Sequence, residues 1–140
     1  MFKTIVFPYD FSRFSEMIVP YVKEFKSIGT EKVILVTVLE YENLSARLVS
    51  RKVELDEYKE NTIKRIEPVK KELEMAGFTV TVFVDYGIAS KVVVKKAVDE
   101  SAELIVMGAL GSGLASNLLG STAQNVLRIS PLPVLIVPAK

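Results

Sequence analysis

The sequence predicts an open α/β fold, a single parallel sheet of five strands covered by helices on both faces. Three observations predict it. Short β-branched and aromatic runs alternate with segments of helical period along the 140 residues. The run Val33–Leu39 is almost continuously apolar, as a central strand buried on both faces reads. No repeat, low-complexity segment or linker divides the chain, so residues 1–140 are expected to form one domain. Strands separated by helices make a βαβ series, and right-handed crossovers then give one sheet with two covered faces.

The first strand is Phe2 to Phe7, ended by Pro8. Asp10 or Ser12 caps a helix running to about Ile28, with Phe14, Ile18, Tyr21 (or Val22), Phe25 and Ile28 at helical spacing. Gly29 stops it, and Pro20 inside it removes a backbone donor and predicts a kink. Val33–Leu39 is the second strand. Residues 41–54 read as an irregular or partly helical connection. Leu55 to Ala76 is a long helix whose stripe is Leu55, Tyr58, Thr62, Ile66, Val69, Leu73 and Ala76, with charges of both signs opposite. Pro68 implies a bend and Gly77 a C-terminal stop. The third strand (Phe78 to Val84), a helix (Ser90 to Glu100), the fourth strand (Leu104 to Met107), a glycine-rich loop, a helix (Ser121 to Ile129) and the fifth strand (Val134 to Val137) complete the series.

Composition narrows the chemistry. Lys and Arg total 18 and Asp and Glu 17, a balance that argues against a dedicated nucleic-acid binder. The chain has no cysteine and no histidine, which removes disulfides, thiol catalysis, Cys- or His-ligated metal sites and every His-based triad. No catalytic residue and no metal held directly by protein is expected. Leu104 to Leu127 carries no charge over 24 residues, but its four glycines and its many hydroxyl and amide side chains make a poor membrane helix. No signal peptide is visible, and a cytoplasmic protein without membrane partners is the expectation.

In open α/β sheets, ligands bind beyond the carboxyl ends of the strands where strand order reverses. Three segments fall at such ends: Pro8–Ser12, Val38–Glu40, and Met107–Gly113 with Gly120-Ser121-Thr122 opening the next helix. Glycines let backbone amides approach a phosphate, a helix N-terminus adds unpaired N–H groups and a positive dipole end, and Ser121 and Thr122 add hydroxyls. The pattern is neither a P-loop nor a dinucleotide fingerprint. The same residues also have structural readings. Asp10 can be a turn or cap residue, the glycines can simply make turns, and Leu114, Leu118 and Leu119 read as packing. Glu40, Asp85 and Asp99 read as ordinary surface carboxylates, and Lys91, Lys95 and Lys96 as a solvated face.

Taken together, Pro8 and Asp10 after the opening strand, Val33–Leu39, Gly87-Ile88, Leu104–Gly108, and Gly120-Ser121 through Pro133–Pro138 resemble the universal stress protein family over essentially the whole chain. The resemblance implies an all-parallel, Rossmann-like sheet of order 3-2-1-4-5. One branch of the family binds ATP through Gly-x2-Gly-x9-Gly-Ser/Thr, which Gly108, Gly111, Gly120 and Ser121 resemble with a spacer of eight residues, Ser112 to Leu119. By that resemblance Asp10 and the backbone near Pro8 and Val38 meet adenine and ribose. Met107 and Gly108 line the nucleotide, and Gly111, Gly120, Ser121 and Thr122 hold the phosphates. Replacing Gly120 by a β-branched residue is expected to close this cradle and strain the backbone. No Lys or Arg lies between Leu104 and Leu127, so phosphates would rely on amides, hydroxyls and a Mg²⁺ or Mn²⁺ bound through them.

The expected function is an adenine-nucleotide-binding stress-response regulator, a sensor or switch taking ATP (or AMP or ADP) and acting on a protein partner the sequence does not identify. The alternatives are a slow ATP hydrolase and an interaction module with a vestigial pocket. Strand 134–137 is apolar and lies at a sheet edge in the 3-2-1-4-5 order. An open edge invites pairing, and the family's members are commonly dimers, so a homodimer through this strand is expected, with Ile136 at its seam.

Overall fold

The computed structural model describes residues 1–40, 52–110 and 119–139. Within them the chain forms β1 (Thr4–Pro8), α1 (Arg13–Glu24) with a 3₁₀ turn (Phe25–Ile28), β2 (Lys32–Leu39), α2 (Lys52–Met75), β3 (Thr79–Tyr86), α3 (Ala89–Asp99), β4 (Leu104–Gly108), α4 (Ser121–Ile129) and β5 (Val134–Val137). The strands make one five-stranded parallel sheet of order β3-β2-β1-β4-β5. The connection expected over 41–54 falls largely on residues outside those described; from Lys52 the chain is helical.

Alternation along the strands divides the core into two layers. Ile5, Phe7, Val33, Leu35, Leu104 and Val106 pack with α1 (Ile18, Val19, Val22) and α2 (Ile66, Val69, Leu73). Val6, Ile34, Val36, Ile105 and Met107 pack with α3 (Val93, Ala97) and α4 (Ala123, Val126). Each central strand therefore needs apolar residues at consecutive positions, which is why β2 reads as an unbroken run.

Helix ends follow local chemistry. The Phe78 N–H reaches the Leu73 carbonyl at 3.2 Å and the Gly77 N–H the Glu74 carbonyl at 2.9 Å, a paired closure that places Gly77 at φ +104°. An L side chain rarely adopts that conformation, so the glycine terminates α2 as expected. Pro20 and Pro68 sit within continuous helices, both on solvent-exposed positions where water can take the carbonyl each leaves free. The buried stripe of α1 runs through Val22. Of the two stripe candidates the spacing left open, Val22 is buried and Tyr21 is exposed at 50%; Ile28, in the 3₁₀ turn, is exposed at 58%.

The open edge at β3 is held by charge. Asp85 pairs with Lys59 of α2 at 3.3 Å and with Lys96 of α3 at 3.1 Å, joining helices from opposite faces of the sheet. Lys96 also lies over the Phe83 ring, 4.5 Å from its centre, so it is not the solvated lysine its sequence neighbours suggest. Lys95 does face solvent and pairs with Asp99 at 2.6 Å. Partial burial opposes the charge on Asp85, but the hydrogen bonds and charges of Lys96 and Lys59 outweigh it and hold the carboxyl below its ordinary range. A depressed carboxylate pKa stabilises the fold above the unfolded-state value and loses that contribution as pH falls through the folded one. Partial exposure screens the pairs, so Asp85→Asn is expected to lower unfolding free energy by about 1 kcal/mol near neutral pH. Urea titrations should show the gap from wild type closing below about pH 4. An equal gap at pH 7 and pH 3 would mean the charges contribute nothing.

Candidate functional site

β1 stands where the sheet reverses. It pairs along its whole length with β2, Thr4↔Lys32 through Pro8↔Val36, but with β4 only at Ile5↔Leu104 and Val6↔Ile105. Pro8 has no N–H to extend a ladder. The chain instead follows β2 for one more residue: the Tyr9 N–H donates to the Val36 carbonyl at 2.9 Å, and the buried Thr37 hydroxyl donates to the Tyr9 carbonyl at 2.8 Å.

Asp10 then turns the chain into α1. Its Oδ1 accepts the Ser12 N–H at 2.9 Å and the Ser15 hydroxyl at 2.7 Å, and its own N–H donates to Ser15 Oγ at 3.1 Å. Ser12 Oγ accepts the Ser15 N–H at 3.2 Å and caps the helix. This turn holds Phe11 at φ +65°, in the left-handed region. Such a conformation costs a bulky residue roughly 1–2 kcal/mol. Two contacts offset it. The Phe11 ring meets Tyr9 edge-on at 5.1 Å, and the Arg65 guanidinium of α2 lies 4.1 Å from its centre. Together such contacts contribute about 1–2 kcal/mol. Tyr9 is itself buried, with its hydroxyl on Glu16 and its ring edge-on to Phe7.

Helices α1, α3 and α4 begin at this end of the sheet, and their N-termini differ. Ser12 caps α1. At α3 the Ala89 N–H donates to Glu40 Oε1 at 3.1 Å, so a carboxylate already occupies that positive end. The N-cap of α4 is Gly120, which has no side chain, and its first intrahelical bond runs from the Gln124 N–H to the Gly120 carbonyl at 3.0 Å. The N–H groups of Ser121, Thr122 and Ala123 therefore lack helical partners. The Gly120 N–H closes the neck of the glycine loop on the Ala109 carbonyl at 2.7 Å, and the Ala109 N–H donates to Val137 at 2.9 Å.

These elements border one cavity of about 470 Å³. Pro8, Asp10, Val38, Met107, Gly108, Gly120, Ser121 and Thr122 all line it. Gly111 lies outside the described residues, as do Leu114 and Leu118; Leu119 is 37% exposed and packs little. The volume is in the range of small-molecule sites. Two expectations are corrected. Gly120 has φ −63° and ψ 156°, an extended conformation open to any residue, so a β-branched side chain there would crowd the cradle without straining the backbone. The cavity also carries a cation: Arg65 lines it, although no Lys or Arg lies between Leu104 and Leu127.

Sequence reasoning missed Tyr58 and Arg65, and it read Glu40, although placed in a strand-end segment, as an ordinary carboxylate. Glu40 directly follows a strand whose carboxyl end points at the site, a signal that could have selected it. Arg65 continues the spacing of Tyr58 and Thr62 at the border of the α2 stripe, but its charge assigned it to the solvated side. Among the described residues, no group of three or more His, Cys, Asp or Glu could hold a metal ion, and no helix is long and apolar enough to cross a membrane.

With this geometry in hand, comparison with known proteins is informative. The family model described as the universal stress protein family matches residues 1–138. Universal stress protein MJ0577 of Methanocaldococcus jannaschii is 35% identical, with the alignment covering 100% of this chain and 97% of the relative. Its solved structure superposes with a TM-score of 0.88 at 36% identity, over 98% of this chain and 96% of that one. Universal stress protein Sll1654 of Synechocystis is 32% identical over 99% of this chain and 87% of its own length. A universal stress protein solved in complex with cAMP superposes with a TM-score of 0.72 at 25% identity, over 99% and 98% of the two chains.

The turn at Asp10 generates a stability test. Asp10→Ala removes the acceptor of two hydrogen bonds and is expected to cost about 1–2 kcal/mol in urea unfolding. Asp10→Asn keeps a carbonyl oxygen in the same place and should recover most of that. An equal loss in both variants would assign the effect to charge rather than to the turn.

Proposed function

The chain belongs to the universal stress protein family, and we propose that it is an adenine-nucleotide-binding regulatory protein whose ligand spans the cavity between Asp10 and the N-terminus of α4. The observation that carries this reading is the contrast among the helix ends. The start of α4 lines the same cavity as Asp10 and Val38, and among the described residues no side chain caps its amides, whereas α3 is met by Glu40. An anionic group is favoured where unpaired N–H groups and a positive dipole end coincide. The Asp10 carboxylate and the backbone at Val38 offer acceptors and donors for a base and ribose on the opposite side. A relative solved with cAMP supports an adenine nucleotide as the ligand class. ATP, ADP or AMP fits the cavity's chemistry, and a Mg²⁺ or Mn²⁺ would enter as the counterion of the phosphates, held through their oxygens. In this reading Met107 and Gly108 line the nucleotide and Gly111 joins Gly120, Ser121 and Thr122 at the phosphates. Nucleotide occupancy would alter contacts with a protein partner in stress signalling, in a cytoplasmic setting. A slow ATP hydrolase is the competing reading, and turnover by purified protein separates the two.

Ser121 gives a clean test of the cradle. It is the first helical residue of α4, where proline is well tolerated, and Gly120 before it already has the extended conformation a proline requires. Ser121→Pro thus removes an amide donor and a hydroxyl while preserving the helix. Calorimetry should show ATP affinity falling about tenfold, toward that of adenosine, with adenosine binding unchanged and the melting temperature held. Unchanged ATP affinity would place the phosphates elsewhere. The one-residue-shorter glycine loop also predicts that adenosine, AMP and ATP differ by only about 1–2 kcal/mol in wild type. An ATP preference over AMP above a hundredfold with Mg²⁺ present would contradict this.

The same reading includes a homodimer through β5. Among the described residues that strand pairs only with β4, and its Leu135 is 40% exposed at the sheet edge. Pairing with a second copy would satisfy the free edge and close after two chains. Ile136 packs against the α3/α4 layer, so a charge there would damage the core as well as the seam. Leu135→Lys is therefore the sharper variant: light scattering at tens of micromolar should show a dimer for wild type and a monomer for the variant, with unfolding free energy little changed. A monomeric wild type would sink the dimer.

A further inference from the structure

Helix α2 presents Tyr58, Thr62 and Arg65 to the cavity, a spacing that places all three on one helix face. Thr62 is buried and its hydroxyl donates to the Tyr58 carbonyl at 2.9 Å, so its donor is spent within the helix. Arg65 is different. Its guanidinium is held over Phe11, and among the described residues it makes no hydrogen bond or ion pair. Phe11 is itself fixed, by the Asp10 turn on one side and by Tyr9 on the other. A planar cation thus lines the cavity on a rigid aromatic platform with its N–H groups unclaimed.

We propose that Arg65, seated on Phe11, is a further ligand-binding residue that stacks against the flat base of the bound nucleotide rather than pairing with its phosphates; this rests on the nucleotide reading above. Position favours the base side. Phe11 packs against the core layer of α1 and α2, next to Asp10, whereas the free amides of α4 start from the opposite layer. The phosphates therefore already have a partner across the sheet. Chemistry favours it too. A guanidinium is planar, delocalised and weakly hydrated, and it stacks on aromatic faces and bases where an ammonium does not. Phe11, Arg65 and the base would then form one stack, braced edge-on by Tyr9, which also gives the strained Phe11 backbone a purpose.

Titrations of adenosine, AMP and ATP against wild type, Arg65→Ala and Arg65→Lys test this. Arg65 is exposed, so both variants should fold, with the melting temperature lowered by a few degrees at most through loss of the contact on Phe11. The expected result is a loss of about tenfold for all three ligands alike in Arg65→Ala, with no recovery in Arg65→Lys. Quenching of 2-aminopurine riboside fluorescence should accompany binding to wild type and be weakened in both variants at saturation. A loss that grows with phosphate number and is restored by lysine would make Arg65 a phosphate cation and overturn the proposal. Unchanged affinities would overturn it as well. Wild type binding none of the three ligands would instead overturn the nucleotide reading itself, and this proposal with it.

Discussion

The abbreviated ladder between β1 and β4 is the constraint on which the site depends. Two pairs join these strands, whereas β1 and β2 are paired through Pro8. The chain leaving β1 enters α1 on one face of the sheet, and the helix that follows β4, α4, packs on the other. Right-handed crossovers to neighbours on opposite sides require this divergence. The loops therefore part above the strand ends, and the cavity is the space between them. Had β4 been followed by a helix on the α1 face, the two loops would compete for the same volume.

The layers around the gap make it rigid. Ile5, Phe7, Ile34, Leu35 and Ile105 are fully buried directly beneath it, so the strand ends cannot shift without disturbing both cores. On that floor the walls are made by hydrogen bonds rather than by packing. Ser12, Ser15 and Thr37 fix the β1 exit, Glu40 fixes the start of α3, and the Gly120 to Ala109 bond fixes the start of α4. A polar wall on an apolar floor suits a ligand with a flat apolar part and a charged tail.

Charge is distributed with the same economy. At the β3 edge, Lys59, Asp85 and Lys96 are matched against each other and keep a strand edge from pairing. At the cavity the polar groups hold local structure instead. Asp10 spends its Oδ1 on the turn, Glu40 on a helix end, and Arg65 rests on an aromatic ring. The first arrangement serves stability, and the second leaves groups available to a ligand.

The sequence by itself determined the sheet and placed several of the residues that line the cavity. Val33–Leu39 could only be a strand covered on both faces, Gly77 had to end a helix, and Pro8, Asp10, Gly108, Gly120, Ser121 and Thr122 followed from knowing where parallel strands end. These features are local: each is written in a few consecutive residues. What only the tertiary structure decided is which distant residues share a surface. Val22 rather than Tyr21 faces the core because α1 lies on the sheet with Ile18, Val19 and Val22 inward, and Lys96 is a clamp because β3 brings Asp85 beneath it. Arg65 meets Phe11 because α2 crosses above the β1 exit, and Phe11 tolerates a left-handed backbone because Asp10, Tyr9 and Arg65 surround it. None of these has a period or a motif, since contacts between elements depend on how helices lie on the sheet and not on spacing along the chain.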